Sequence, residues 1–186
     1  MADDLIHQFA DVIRAAADAK RPLQIRGGGS KDFYGNAPAG ELLDVSAYRG
    51  IVEYEPTELV ITARAGTPLA EIEAAMRAQG QMLGFEPPHF SGPATLGGCI
   101  AAGLSGPRRP YAGSVRDFVL GVRLLDGNEA WKSARLGTES QQAEGEEDDG
   151  SMHGTSVDRG RDPSAAPIRA AAPGPGHTPG RWWLPG

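Results

Sequence analysis

The chain contains one cysteine, Cys99, so it can form no internal disulfide and no multi-cysteine metal site. A lone thiol suits a reducing compartment. Long apolar runs are missing too: no stretch reaches the ~20 apolar residues needed to cross a bilayer. The opening Met1-Ala-Asp-Asp-Leu5 lacks the basic flank and apolar region of a secretory signal. A soluble, cytoplasmic protein is the expectation. Negative charge prevails, with a net charge of −6, and Arg108-Arg109 is a compact but very small basic cluster. That excludes a general nucleic-acid binder, whose phosphate contacts need a basic surface. Two familiar phosphate motifs are also absent. Gly27-Gly-Gly-Ser-Lys-Asp32 puts aspartate where G-x-G-x-x-G needs its last glycine, and no G-x-x-x-x-G-K-[ST] occurs.

What is present suits one domain followed by a tail. Residues 4–20 space Leu5, Ile6, Phe9, Val12, Ile13, Ala16 and Ala17 by threes and fours, an amphipathic helix with acidic residues at its start. Leu23-Gln-Ile25 reads as a strand, as do 42–45, 51–54 and 59–64, with Pro56-Thr-Glu58 as the turn between the last two. Thr67-Pro68 predicts a capped helix start and Gly80 its end. Gln81 to Phe85 then returns as a strand, making 59–85 a strand–helix–strand unit. Thr95 predicts a second N-cap, opening a short helix of small residues whose first turn points free N–H groups outward. Pro107 to Gly113 reads as loop. Val119 to Leu125 is a near-continuous apolar strand of the kind buried on both faces.

The chemistry concentrates in Pro22-Leu-Gln-Ile-Arg-Gly-Gly-Gly-Ser-Lys31. Three consecutive glycines bring no side chain to bury, so packing does not explain them. They permit positive φ and close backbone approach. Successive N–H groups in such a turn can form an anion nest, with Arg26, Ser30 and Lys31 on its rim. The residues of this turn fit a phosphate cradle and a flexible glycine turn equally well. A second glycine region, Phe90 to Gly106, adds another anion-friendly turn, and together the two suggest a ligand with two phosphates.

Several motifs stand in a recognisable order: Arg26-Gly-Gly-Gly-Ser30, Val60-Ile-Thr-Ala-Arg-Ala-Gly-Thr-Pro-Leu69, Pro93-Ala-Thr-Leu-Gly-Gly98 and Tyr111-Ala-Gly-Ser-Val-Arg-Asp117. In these the chain resembles the FAD-binding domain of the vanillyl-alcohol oxidase/p-cresol methylhydroxylase (PCMH-type) family. Phe85-Glu-Pro-Pro88 and Ser105-Gly-Pro-Arg-Arg109 are similar, within that family, to FAD-binding subunits of bacterial glycolate oxidases. The resemblance covers residues 4–128. It implies an α+β fold of two α/β subdomains with FAD between them, the second incomplete here.

Carried over by position, Arg26, Gly27, Gly28, Gly29, Ser30 and Lys31 would wrap the pyrophosphate. Pro93, Thr95, Leu96, Gly97 and Gly98 would supply backbone contacts, with Ser105 near the cofactor. The flavin is expected to be non-covalent. Ser30-Lys31 stand where relatives carry a histidine anchor, and Cys99 reads as a small buried thiol. The resemblance also implies a 2-hydroxy-acid oxidoreductase working with a larger FAD-linked subunit and an iron-sulfur subunit, and any membrane association would run through those partners. It names no catalytic residue. His89, Arg108-Arg109 and Asp117 read most simply as a loop residue, a solvated pair and a helix-end residue.

The pattern breaks after Asn128. From Glu129 to Gly186 there are six prolines and nine glycines, Phe and Tyr are absent, and the branched aliphatics are Leu136, Val157, Ile168 and Leu184. Such a segment buries too little apolar surface to offset chain ordering, so 129–186 is expected to be a disordered tail. A shifted reading frame would produce this break. A truncated subunit, a non-catalytic assembly subunit and an inactive fragment are the alternatives to a complete enzyme.

Overall fold

A computed structural model describes residues 2–125, 131–135 and 166–169. Helix α1 (Ala2–Asp18) leads to strand β1 (Leu23–Arg26), which pairs in parallel with β2 (Glu41–Asp44). The apolar stripe of α1 faces this pair. Ile6, Ala16, Leu43 and Tyr48 are buried, and Phe9 meets Tyr48 edge-on with ring centroids 6.5 Å apart.

Strands β3 (Ile51–Glu55) and β4 (Val60–Ala63) form the expected antiparallel hairpin. Helix α2 (Leu69–Ala78) follows and buries Leu69, Ile72 and Met76. Gly80, at φ +68°, ends it where the sequence places the stop. Thr67 does not cap this helix. Pro68 is the N-cap, and the Thr67 hydroxyl instead accepts the Gly50 amide at 2.9 Å and lies 2.7 Å from the Arg64 carbonyl.

Gln81–Phe85 is not a strand, although Met82 makes a single bridge. Both edges of β4 are already taken, by β3 and by β7 (Ala166–Arg169). The 81–85 segment inserts Leu83 and Phe85 into the core and turns at Glu86, φ +47°. The Glu86 carboxylate holds Arg108 through Nε at 3.0 Å, so the solvated reading of Arg108 gives way to an ion pair.

Thr95 caps α3 (Leu96–Ala102) as its sequence predicts, accepting the Gly98 amide. Within the expected 107–113 loop, Arg109–Ala112 makes one helical turn, α4. Helix α5 (Val115–Phe118) carries a full capping box between Ser114 and Asp117, the helix-end role expected of Asp117. Strand β5 (Gly121–Leu125) pairs antiparallel with β6 (Trp131–Arg135). Burial on both faces does not hold for it, because Leu124 is 56% exposed in this two-stranded ribbon.

The main core joins Ile61, Ala63, Leu69, Ile72, Met76, Leu83, Phe85, Ala94, Leu96, Cys99, Val115, Val119 and Ile168. The tail expected beyond residue 128 lies outside the described residues except for β6 and β7, which are strands. Among the described residues no helix is long and apolar enough to cross a membrane.

Candidate functional site

Strand β1 ends at Arg26 and releases the chain into the turn Gly27 to Lys31. Its partner β2 holds that exit, since the Val45 amide donates to the Arg26 carbonyl at 2.9 Å. The glycines of this turn do have a packing reason. A Cβ on Gly28 would stand 1.5 Å from the Pro93 carbonyl oxygen, and one on Gly27 would stand 2.5 Å from Thr95 Oγ1. The turn is pressed against the segment that opens α3, which corrects the expectation that packing plays no part. Gly29 adds a second reason, a φ of +70°.

This contact brings the two glycine regions together. Arg26 to Lys31, Thr95 and Gly98 line one cavity of about 300 Å³. Ile25, Asp32, Tyr34, Ala101 and Ala102 complete its wall. Among the described residues, the amides of Gly27, Gly28, Gly29, Ser30 and Lys31 donate no hydrogen bond to protein. Ser30 is buried at 6% exposure, so part of this donor-rich backbone is withdrawn from solvent. Buried or half-buried N–H groups want acceptors, and a run of them in one turn is the donor set an anion of several oxygens would satisfy.

The second segment contributes differently from expectation. The Leu96 amide donates to the Thr67 carbonyl at 2.9 Å, that of Gly97 to Ala65 at 2.7 Å, and that of Gly98 to the Thr95 hydroxyl. The first turn of α3 therefore points no free N–H outward. What it offers is a surface with little side chain on it, from Gly98 and Ala101, over which a ligand can lie closely.

Leu96 is fully buried in the core. Pro93 seats Gly28 and lines a neighbouring cavity of about 420 Å³ together with Gly28, Thr95 and Arg49. The Ser105 hydroxyl accepts the Val115 amide at 2.9 Å and does not join the cavities beside the glycine turn.

A third cavity, of about 400 Å³, is also lined by Gly27 and Gly98. Its wall is largely apolar, with Ile6, Phe9 and Ile13 from α1 facing Leu43, Gly97 and Leu125. It shares Ile25, Gly27, Gly98 and Ala101 with the cavity of the glycine turn. Each volume lies in the ~300–1,000 Å³ range typical of small-molecule sites. A donor-rich end next to an apolar end fits an elongated ligand with an anionic part and an apolar part.

The charges on the rim are tied to neighbours. Arg26 donates through Nε to Asp32 at 2.9 Å and through a terminal nitrogen at 2.5 Å. Hydrogen bonding to Asp32 raises the Arg26 pKa, and the reciprocal bond holds the Asp32 carboxyl below its ordinary value. Lys31 Nζ sits 5.8 Å from the centre of the Phe90 ring, which Phe33 meets edge-on at 5.2 Å.

His89 lines none of the cavities beside the turn, and its Nε2 lies 2.9 Å from Glu73 Oε1 on α2. Cys99 is fully buried, and desolvation pushes its thiol up to about 11. Such a thiol is a packing group, not a nucleophile.

Sequence reasoning missed Ile25, Asp32, Tyr34 and Ala101 as lining residues. The signal for Asp32 was its opposite charge to Arg26 across a glycine turn. Ala101 and Ala102 were visible in the small face of α3. Among the described residues no group of acidic, histidine and cysteine side chains is placed to hold a metal ion.

Comparison with known proteins agrees with this geometry. A family model described as an FAD binding domain matches residues 6–134. The chain is 54% identical over 136 residues to the glycolate oxidase subunit GlcE of Escherichia coli (strain K12), which takes in 73% of this chain and 38% of that protein. It is 33% identical over 85 residues to L-gulonolactone oxidase 3 of Arabidopsis thaliana, 45% of this chain and 14% of that one. Among solved structures, an alkyldihydroxyacetonephosphate synthase superposes with a TM-score of 0.57 at 18% identity, covering 88% of this chain and 29% of that chain, a likeness of fold. The chain thus spans well under half the length of these relatives.

Proposed function

The chain belongs to the FAD binding domain family, and from that premise we propose that it is the FAD-binding part of a glycolate oxidase-like 2-hydroxy-acid oxidoreductase subunit. FAD is the cofactor the family membership gives. The observation that supports this reading is the turn Gly27 to Lys31, whose five amides lack protein acceptors among the described residues and whose residues line one cavity. We assign these amides to the diphosphate. Lys31 adds positive charge, and Arg26 does so to the extent that Asp32 releases it. Gly98 and Ala101 form the floor that the cofactor crosses, and the apolar cavity beyond takes a ring system.

Pro93, Thr95, Leu96 and Gly97 act as the seat that fixes the turn, and Ser105 anchors α5. When bound, FAD supplies the hydride acceptor for oxidising an alcohol carbon. The residues of this chain bind and orient it, and none of them is assigned a proton. Attachment is non-covalent, because Cys99 is sealed in the core with its thiol protonated at neutral pH.

The relative's name as a glycolate oxidase subunit supports partner chains, which we take to be a larger FAD-linked subunit and an iron-sulfur subunit. The complex would work in the cytoplasm, with any membrane contact made through those partners. Because no residue of this site is assigned a proton, one second reading is a chain that binds FAD or assists assembly without turnover.

Visible absorption of the purified protein separates these readings. Flavin bands near one equivalent, released as free FAD by acid, are expected. A folded, colourless chain that takes up no added FAD overturns the assignment. A yellow chain that, with its partner subunits, shows no 2-hydroxy-acid oxidation selects the assembly role.

A further inference from the structure

The strand β7 comes from the region whose composition predicts a tail, and it lies beyond the residues the family model matches. Yet it is built into the fold, as the edge strand beside β4. Residues Ala166–Arg169 pair antiparallel with β4 over four positions, from Val60 opposite Arg169 to Ala63 opposite Ala166. On its other side, Ile168 bridges to Val119, just ahead of β5. Four residues thus join the β3–β4 hairpin to the β5–β6 ribbon. The Ile168 side chain is fully buried in the main core.

Without β7, the edge of β4 and the backbone at Val119 would flank an open slot with an apolar hole at its centre. An unpaired strand edge is a template for another strand. The occupant has the features of an insert. It is four residues long, Pro167 contributes no N–H to the ladder, and it is separated from β6 by residues 136–165.

We propose that the slot between β4 and Val119 is a strand-acceptor site. Its occupant is the chain's own segment Ala166–Arg169, bound by main-chain pairing and the apolar anchor Ile168. This is strand addition carried out within one chain. The bond set is small, so the strand is replaceable by an extended peptide that offers an apolar residue at the anchor position. A tethered strand competes at an effective concentration on the order of millimolar, so the intact chain should resist micromolar peptide.

The test uses the full chain carrying Ile168→Asp and a fluorescent peptide with the sequence of residues 163–172. The variant should unfold at lower temperature than wild type. It should bind the peptide at least about tenfold more tightly than the wild-type chain does, and regain its lost stability when the peptide is added. A peptide carrying the same Ile168→Asp change should not bind. A folded variant that unfolds at the wild-type temperature, or that ignores the wild-type peptide, overturns the proposal.

Should the variant fail to fold, the pair Thr62→Cys with Pro167→Cys reads the same register in a folded chain. Mild oxidation should cross-link it within one molecule and exclude the peptide entirely. Cross-linking only between two molecules would show that the occupant belongs to a second copy, and would overturn the assignment to the same chain.

Discussion

Replacing Gly28 with alanine tests whether the glycine turn and the α3 segment form one unit. The added Cβ would meet the Pro93 carbonyl oxygen at 1.5 Å and its carbon at 2.6 Å. Ordinary contact begins near 3.4 Å, so one backbone must move by about 2 Å. Neither side gives easily. The turn is tied to β1 and β2 through the Val45–Arg26 hydrogen bond, and Pro93 stands next to Ala94, whose carbonyl accepts the Leu69 amide. Overpacking of this kind costs about 3 kcal/mol, the upper end of its usual range, or roughly 10 °C in Tm for a domain of this size. A 2 Å shift also takes N–H donors out of hydrogen-bonding range of a bound diphosphate. Losing two charge-assisted bonds weakens FAD binding by about 100-fold. Thermal unfolding of the apoprotein and titration of flavin fluorescence measure the two effects separately. Gly80→Ala is the control. It has the same kind of positive φ, +68°, but nothing within 4 Å of its added Cβ, so it should cost about 1 kcal/mol and leave FAD affinity unchanged. A Gly28→Ala protein with wild-type Tm and wild-type FAD affinity would refute the argument. So would a Gly80→Ala protein that loses flavin equally.

Three further outcomes follow from other contacts. Thr67→Val should destabilise the fold by about 2 kcal/mol, because it leaves the Gly50 amide without its 2.9 Å acceptor, while Thr67→Ser restores it; urea unfolding reads both. Cys99 should resist iodoacetamide at pH 8 in the folded protein and react after denaturation, since its thiol is buried and titrates at about 11; rapid native labelling by mass spectrometry would contradict this. Asp117 is held below its ordinary value of 3.8, first by the Ser114 amide. A depressed carboxylate adds stability that is present above the unfolded value and is lost as pH falls through the folded one. Asp117→Asn should therefore weaken the protein at pH 6 and flatten its loss of stability below about pH 4, seen in urea unfolding across that range.

Much of the fold was legible because its signals are local. Thr95 capping α3, Gly80 closing α2 and the turn at Pro56 to Glu58 each depend on neighbours within a few positions. The failures depend on distant partners. Gln81 to Phe85 has strand composition, but both edges of β4 were taken, one by a segment beginning at Ala166. Thr67 has capping chemistry, but Gly50 supplies a better fit to its hydroxyl. The candidate site divides in the same way. The donor-rich turn Gly27 to Lys31 was readable from its glycines. Its seat on Pro93 and Thr95 was not, because no local pattern marks which distant backbone a glycine touches.

That seat changes the meaning of the glycine motif. Read alone, three glycines suit a turn that shapes itself around a phosphate. In the fold, Gly27 and Gly28 are fixed by contact with the segment entering α3, so the cradle is set by the core beneath it. Leu96 fills that core, and its amide is fixed to Thr67, whose hydroxyl is fixed to Gly50. Leu96 shares its buried cluster with Ile61 of β4 and Ile168 of β7, and β4 pairs with β7. FAD affinity should therefore respond to changes in the core that touch no cofactor. Loosening β7 should weaken FAD in step with the lost stability, whereas a change confined to Lys31 should weaken FAD alone. If the two losses under Ile168→Asp were independent, the cradle would be a local structure that the core does not set.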